Sequence, residues 1–333
     1  MKRKLMGIAV WILSLAFFAS AAGDPAPEWA EVLLNDRGFL DGGTYVLQDP
    51  EGGHWMYVDD CLRVQVVRTR ETPERERPRD AKQDFLCFTT EIWYDPAKDP
   101  GPVTLWADPE KPGNTGIRKS VAQIAQEQQA VFAVSTDLFT ARISMQTCGV
   151  VIRNGLVLQD RRNRHFPGQR PPQDTLALYA DGHIDSFLPA EKKAEEYLAE
   201  GALQVYTFGP VLVRDGEIPE EVLRYDDRAL NPMHAFGMAE PGHFIDVLCE
   251  GRLKSVNGST GVMTSALAAI MKDRGCRIAV NLDGGSTAVI AFMGQQLNAV
   301  AQKPAGRVTC EVLAFGPGKA EKTEKMLDTG CEE

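Results

Sequence analysis

The clearest pattern of apolar positions lies in the last quarter of the chain, where a helical period gives way to a short continuous run. Apolar residues share one helix face at Met263, Ala266, Leu267, Ile270 and Met271. Ser259 or Thr260 is placed to cap the start of this helix, and Gly275 is placed to end it. The run Arg277–Leu282 then predicts a buried strand.

The segment Asp283-Gly284-Gly285-Ser286-Thr287 follows this strand directly. Its two glycines leave backbone N–H groups that approach a ligand with no side chain in the way. A carboxylate at a strand end beside such a turn is a common arrangement in active sites. The same residues also suit an ordinary Asp-Gly hairpin turn, so this segment by itself allows both interpretations.

A second helix–strand unit earlier in the chain also ends in a carboxylate. Ile117–Gln129 has the period of a partly exposed helix, Ala130–Val134 is typical of a short buried strand, and Asp137 follows. The repetition predicts that Asp137 and Asp283 are presented from one edge of a sheet.

Hairpin signals dominate the middle of the chain. Dipeptides that tolerate the positive φ of a tight turn separate apolar segments at Asn154-Gly155, Asp181-Gly182 and Asp215-Gly216. Other predicted strands are Leu62–Val67, Phe85–Tyr94, two around Pro241-Gly242, Val289–Phe292 and Val308–Phe315, with one more helix over Ala190–Glu200. Because helices are few and set apart from the strands, we predict an α+β fold: a mixed, largely antiparallel sheet with hairpins and a few packed helices.

Four segments lack a clear period. Residues 24–60 and Asp95–Gly116 are rich in proline and glycine, and we expect them to be irregular. The charges of Arg70–Gln83 nearly cancel, which is typical of a solvated loop. Arg161–Pro172 is basic and proline-rich; we interpret it as a surface connection, with a cation-bearing lid over an anionic ligand as the alternative.

The N-terminus has the pattern of an export signal. Lys2, Arg3 and Lys4 precede the apolar run Leu5–Phe18, and Ala19-Ser20-Ala21 suits a signal peptidase. We therefore expect an extracellular or cell-envelope protein. If the segment is not cleaved, it is long enough to remain as an anchor, which would be the chain's link to the membrane.

Composition restricts the partners. The chain has 333 residues and a net charge of −10, which argues against nucleic acid because phosphate binding needs a basic face. Its seven cysteines form no CxxC or clustered Cys/His spacing, so the sequence predicts no metal site and no cofactor. In an exported protein some cysteines could pair, but an odd number leaves at least one unpaired within the chain.

Six short motifs occur in a distinctive order. They are Ala133–Phe139, Gly149–Gly155, Asn231–Gly237, Gly251-Arg252, Gly261–Ala268 and Asn281–Gly285, the last reading Asn-Leu-Asp-Gly-Gly. This order resembles the phosphodiester glycosidase family. The family includes an enzyme that removes N-acetylglucosamine from a phosphodiester on mannose, and exported bacterial proteins linked to exopolysaccharide. The resemblance covers residues 115–316, which we predict to be a phosphodiester-glycosidase-like domain. The residue patterns add a signal (1–21), a strand-rich lead-in (22–114) and a charged tail (317–333).

The chain departs from the family pattern at several positions. Ser135 stands where the family usually has asparagine, Met233 where an arginine follows the Asn-Pro pair, and Ala266 where a glutamate precedes Leu-Ala. These departures are consistent with an altered choice of substrate and also with a loss of catalysis.

The chemistry implied by the resemblance assigns roles to named residues. Glycosidic cleavage of a sugar-1-phosphodiester builds positive charge on the sugar, which a carboxylate stabilises, and negative charge on phosphate, which cations and N–H groups stabilise. Asp283 is then the essential carboxylate, Asp137 assists it, and His234 is a further catalytic or phosphate-holding candidate. The predicted substrate-binding residues are Asn231, Arg252, Asn281, Gly284, Gly285, Ser286, Thr287 and Arg307.

Together these predictions describe an exported hydrolase that acts on an N-acetylglucosamine-1-phosphate-type diester in cell-wall or exopolysaccharide metabolism. Its partner would be a carbohydrate phosphodiester or a cell-envelope glycan. The alternative is an exported carbohydrate-binding or scaffold protein that kept the fold and lost the chemistry. A third possibility is a hydrolase that acts on another bond of the cell wall.

Overall fold

Eighteen strands pair into three sheets, and every strand pairing in the described part of the chain is antiparallel. The computed structural model describes residues 34–73, 82–114, 116–137, 149–160, 174–188, 191–223 and 229–320. The predicted export signal, the loop Arg161–Pro172 and most of the charged tail lie outside these ranges. Within them, no helix has the length and apolar character needed to cross a membrane.

The first sheet has eight strands. In spatial order they are β1 (Tyr45–Asp49), β2 (His54–Val58), β3 (Leu62–Glu71), β4 (Phe85–Tyr94), β14 (His243–Cys249), β13 (Met233–Glu240), β15 (Ile278–Leu282) and β12 (Val211–Val213). Strands of the predicted lead-in therefore share one sheet with strands of the family-like segment. The prediction that residues 24–60 are irregular is wrong for β1 and β2. Both faces of β2 are buried, which removes the polar–apolar alternation that would have indicated a strand.

The second sheet is built from the predicted hairpins. Its order is β10 (Ile184–Phe187), β9 (Thr175–Tyr179), β11 (Ala202–Thr207), β7 (Val150–Arg153) and β8 (Leu156–Asp160). Asn154 and Gly155 join β7 to β8 with φ angles of 51° and 74°, as the type I′ turn requires. Asp215-Gly216 also turns the chain, but it closes a single bridge between Arg214 and Glu217.

The third sheet has the order β17 (Gln295–Gln296), β16 (Ile290–Phe292), β6 (Phe132–Val134), β18 (Glu311–Phe315) and β5 (Val103–Trp106). Strand β5 lies inside Asp95–Gly116, which was expected to be irregular. Strand β15 pairs with β13 and β12, whereas β16 pairs with β6 and β17. The Asp283-Gly284 turn is therefore not a hairpin. Because β6 and β15 belong to different sheets, the expectation that one sheet edge presents both Asp137 and Asp283 is also wrong.

Four helices lie in the described residues: α1 (Val121–Glu127), α2 (Ala194–Ala199), α3 (Glu220–Leu223) and α4 (Thr264–Asp273). Ser120 caps α1 by accepting a hydrogen bond from the Gln123 N–H. The predicted cap of α4 is wrong, because Met263 occupies that position without a side-chain hydrogen bond. The hydroxyls of Ser259 and Thr260 instead accept hydrogen bonds from the backbone of residues 84–86.

The inner faces of the three sheets meet in one hydrophobic core. The first sheet contributes Phe236 and Leu248, the second Leu178, and the third Phe292 and Phe315. Each of three helices covers an outer face: α4 packs on the first sheet, α2 on the second and α1 on the third. The fold is sheet-rich with few helices, which fits the α+β class, but its described sheets are antiparallel rather than mixed.

Candidate functional site

The turn after β15 lies against two other segments. The Asp283 N–H donates to the carbonyl oxygen of Thr136 at 3.1 Å, and the Gly285 N–H donates to that of Pro232 at 2.9 Å. A Cβ on Gly284 would lie 2.6 Å from the Pro232 carbonyl oxygen. The close contact between the turn and Pro232 therefore requires glycine at this position. Residues 283–286 remain partly exposed, and the turn can therefore be reached from solvent.

Arg252 lies on one side of this turn. Its Nη2 donates to Asn231 Oδ1 at 2.5 Å, and its Nη1 is 3.5 Å from the position that a Cβ on Gly285 would occupy. The backbone of Arg252 is left-handed, with φ of 59°, and its side chain is exposed. The preceding Gly251 allows the close approach, since a Cβ there would lie 2.7 Å from the Pro232 nitrogen.

Arg307 is held at the far end of the same turn. Its backbone N–H donates to the Ser286 carbonyl at 2.9 Å, and its Nη1 donates to Thr287 Oγ1 at 3.3 Å. The Ser286 hydroxyl in turn donates to the Ala301 carbonyl at 3.3 Å. The structure therefore gathers most of the predicted site residues: Asp283, Gly284, Gly285, Ser286, Thr287, Asn231, Arg252 and Arg307.

Asp137 follows Thr136 in the chain, but its side chain is buried in an ion pair. The carboxylate has no exposed surface and lies 2.8 Å from Arg153 Nη2. Arg153 also donates through Nε to Glu311 at 2.6 Å, and both of these side chains are buried. This ion cluster joins the second sheet to the third, directly behind the segment that contacts Asp283.

His234 lies in the core rather than at the turn. It is fully buried on β13, opposite Leu282, and its Nε2 bonds to the equally buried carboxylate of Asp246 on β14. Asp246 was not singled out from the sequence. A lone acid in the apolar strand His243–Cys249 was the available signal for a buried partner.

Asn281 is buried as well, at 4% exposure. Its side-chain amide donates to the Gly209 carbonyl at 2.9 Å, and its backbone pairs with Gly209 and Pro210. The contact fixes the connection between β11 and β12 rather than facing the turn.

Sequence reasoning also missed Glu250, which lies between the end of β14 and Gly251-Arg252. This carboxylate is 2% exposed and accepts hydrogen bonds from the Ala299 N–H and from Asn257 Nδ2, both at 2.6 Å. Burial raises the pKa of the Glu250 carboxyl, against the lowering effect of these bonds. A charged residue directly after an apolar strand was the sequence signal that could have identified Glu250.

One group in the described residues has the composition of a metal site, Asp59, Asp60 and Cys61. The Lys319 ammonium lies 2.8 Å from Asp59 Oδ2 and 3.1 Å from Cys61 Sγ. A protein cation therefore already occupies the position of a bound ion. The group lies at the β2–β3 connection and contributes no residue to the turn.

Comparison with known proteins identifies the family of this chain. The phosphodiester glycosidase family matches residues 128–312, more than half of the chain, while no curated protein matches it. The fold is similar to the catalytic domain of zebrafish N-acetylglucosamine-1-phosphodiester alpha-N-acetylglucosaminidase auto-inhibited by its pro-peptide, with a TM-score of 0.58 at 16% identity over 82% of this chain and 87% of that one. A hypothetical protein from Synechocystis gives a TM-score of 0.48 at 14% identity, over 77% of this chain and 62% of that one. The chain belongs to the phosphodiester glycosidase family.

Proposed function

We propose that the protein is a hydrolase that cleaves a sugar-1-phosphodiester at the glycosidic bond. The observation that carries this proposal is the turn at residues 283–287. It combines a partly exposed aspartate, two glycines and an arginine on each side. A carboxylate flanked by two cations matches a reaction that separates a cationic sugar from an anionic phosphate.

Asp283 acts at the sugar. As the anomeric C–O bond breaks, its electron pair passes to the phosphate oxygen and positive charge grows on the sugar ring. A carboxylate beside the anomeric carbon stabilises this charge, either as nucleophile or as the base that takes a proton from the attacking water. The hydrogen bond from the Asp283 N–H to Thr136 fixes the backbone from which the carboxylate projects.

Arg252 and Arg307 act at the phosphate. Guanidinium groups make charge-assisted hydrogen bonds to phosphate oxygens. These groups stabilise the charge that builds on the departing phosphate. Because a phosphate monoester is a good leaving group, the reaction needs no strong general acid.

For the buried candidates we propose supporting roles. Asp137 anchors the Thr136 segment through its ion pair with Arg153, and Asn281 fixes the connection that precedes β12. His234 stabilises the core through Asp246. In this account none of the three contacts the sugar or the phosphate.

Two departures from the family pattern favour an altered substrate choice over lost catalysis. Met233 and Ala266 replace an arginine and a glutamate, and both lie in the same hydrophobic cluster on the outer face of the first sheet. Both charged positions of the family pattern are therefore replaced by apolar packing in this cluster. The turn at Asp283 and both flanking arginines are still present.

The substrate we propose is an N-acetylglucosamine-1-phosphate-type diester within a cell-wall or exopolysaccharide glycan. The family supports the chemistry, and the N-terminal signal pattern supports export to the cell envelope.

The test compares the wild-type protein with Asp283→Asn on such a diester, by calorimetry and by release of free sugar. We expect both proteins to bind the diester and only the wild type to release N-acetylglucosamine. Binding without product in the wild type would identify a carbohydrate-binding protein instead. Turnover by a folded Asp283→Asn variant would refute the role of Asp283.

A further inference from the structure

Glu250 is a buried carboxylate that the proposed reaction does not use. One oxygen, Oε1, accepts from the Ala299 N–H at 2.6 Å. The other, Oε2, accepts from Asn257 Nδ2 at 2.6 Å and from the Ser259 hydroxyl at 3.5 Å. The two oxygens therefore accept hydrogen bonds from two separate segments of the chain.

The first segment carries Arg252. Residues 253–259 form a closed turn, bridged by Leu253 and Ser259, that begins directly after this arginine. Arg252 itself has a left-handed backbone, and its N–H donates to the Thr260 carbonyl at 3.2 Å, so its backbone is tied to the far end of this turn. Glu250 holds the far end of the turn through Asn257 and Ser259.

The second segment supports the opposite end of the Asp283 turn. Asn298 exchanges hydrogen bonds with the Ala288 carbonyl and the Ile290 N–H, each at 3.0 Å. The carbonyl of Ala301 accepts from the Ser286 hydroxyl. Glu250 accepts a hydrogen bond from this loop at Ala299, between the contacts made by Asn298 and Ala301.

Burying a charged carboxylate is energetically unfavourable, even where it accepts hydrogen bonds. Burial disfavours the charged form and raises the pKa of Glu250; Arg68 on β3 is the cation whose charge acts in the opposite direction. An acceptor is nevertheless needed at both oxygens, because each of the three groups that reach them donates.

We propose that Glu250 is a positioning residue, which fixes Arg252 on one side of the Asp283 turn and the loop behind Ser286 on the other. By setting this separation, it determines the affinity of the site for a phosphate group. The inference rests on the proposed function for its effect on phosphate, but not for its effect on the two segments.

The sharpest test exchanges donor and acceptor. In Glu250→Gln the amide nitrogen would face Asn257 Nδ2, donor against donor. In the double variant Glu250→Gln/Asn257→Asp, the new carboxylate accepts from that amide, and the Gln oxygen still accepts from Ala299. The double variant therefore restores the two 2.6 Å hydrogen bonds, though not the longer one from Ser259, while moving the charge to a partly exposed position.

Inorganic phosphate and the diester are the probes. We expect Glu250→Gln to weaken phosphate binding and raise KM by about tenfold, the effect of losing a hydrogen bond to a charged group, with a smaller change in kcat. The double variant should recover most of the phosphate affinity. Thermal unfolding identifies any variant that is not folded.

Amide hydrogen exchange supplies a readout that needs no ligand. We expect faster exchange over residues 251–260 and 298–302 in Glu250→Gln, and near wild-type exchange in the double variant. Unchanged exchange and phosphate affinity in folded Glu250→Gln would overturn the inference. If exchange responds but the wild type neither binds phosphate nor cleaves the diester, the positioning role stands and the proposed function fails.

Discussion

The backbone N–H of Asp283 donates a 3.1 Å hydrogen bond to the carbonyl oxygen of Thr136. This bond joins the end of β15 in the first sheet to the segment after β6 in the third. The two carboxylates predicted from sequence therefore belong to segments that are hydrogen-bonded to each other, but their environments differ. Asp283 is partly exposed, whereas Asp137 is buried against Arg153.

Replacing Arg252 by glutamine should weaken phosphate recognition and leave the carboxylate in place. We expect kcat/KM to fall by about tenfold to a hundredfold, because a hydrogen bond between charged groups is lost. Steady-state kinetics measure the effect. The matched control is Lys254→Ala, two residues away and also exposed, which should retain activity. An equal loss in both variants would point to general surface charge rather than to Arg252.

Asp137→Asn should destabilise the protein by about 3–5 kcal/mol, the cost of breaking a buried ion pair. The variant leaves Arg153 buried with less compensating charge. Urea unfolding measures the change. The control is Asp60→Asn, which removes an exposed pair with Lys98 and should cost less than about 1 kcal/mol. Similar losses in the two variants would contradict the structural role assigned to Asp137.

Asp59 should contribute stability that depends on pH. Burial raises its pKa, but hydrogen bonds from Lys319 and from the N–H groups of Cys61 and Leu62 outweigh burial, so the pKa lies below its ordinary value. The contribution is present above the unfolded-state pKa and is lost as pH falls through the lower folded-state pKa. We expect Asp59→Asn to be less stable than the wild type at pH 7 and the two to converge as the pH falls below the folded-state pKa of Asp59. Unfolding free-energy profiles that stay parallel would rule this out.

Gly284→Ala should displace the turn, because its Cβ would lie 2.6 Å from the Pro232 carbonyl oxygen. We expect a loss of turnover larger than the loss of stability. Gly42→Ala is the control, since a Cβ there meets no atom within 4 Å. Steady-state kinetics measure the loss of turnover in both variants, and thermal unfolding measures the loss of stability. Full activity in Gly284→Ala would show that the turn tolerates movement.

Local patterns predicted the elements that depend on neighbouring residues. The buried strand before Asp283 and the Asn154-Gly155 hairpin were recoverable because turn chemistry and apolar runs act over a few positions. The motif order gave the family. Strand β1 was missed because glycine and proline surround a short segment, although its partner β2 is the next strand in the chain. Strand β5 was missed because it is also short and its partner β18 is distant in sequence.

The site was only partly predictable for a related reason. Sequence singled out the turn and both arginines, but Asp137 is buried against Arg153 of another sheet, and no local signal reports which strands pack together. The partners of His234 and Glu250, namely Asp246, Asn257 and Ala299, are set by tertiary packing. A buried acid at the end of an apolar strand remains the one clue that was available.

The central claim is that the anomeric C–O bond breaks with Asp283 at the sugar and the arginines at the phosphate. Hydrolysis of an N-acetylglucosamine-1-phosphodiester in water enriched in oxygen-18, followed by mass spectrometry of both products, tests it directly. The account predicts the label in the released N-acetylglucosamine and none in the phosphate monoester. Label in the phosphate product would show cleavage at phosphorus and contradict the account.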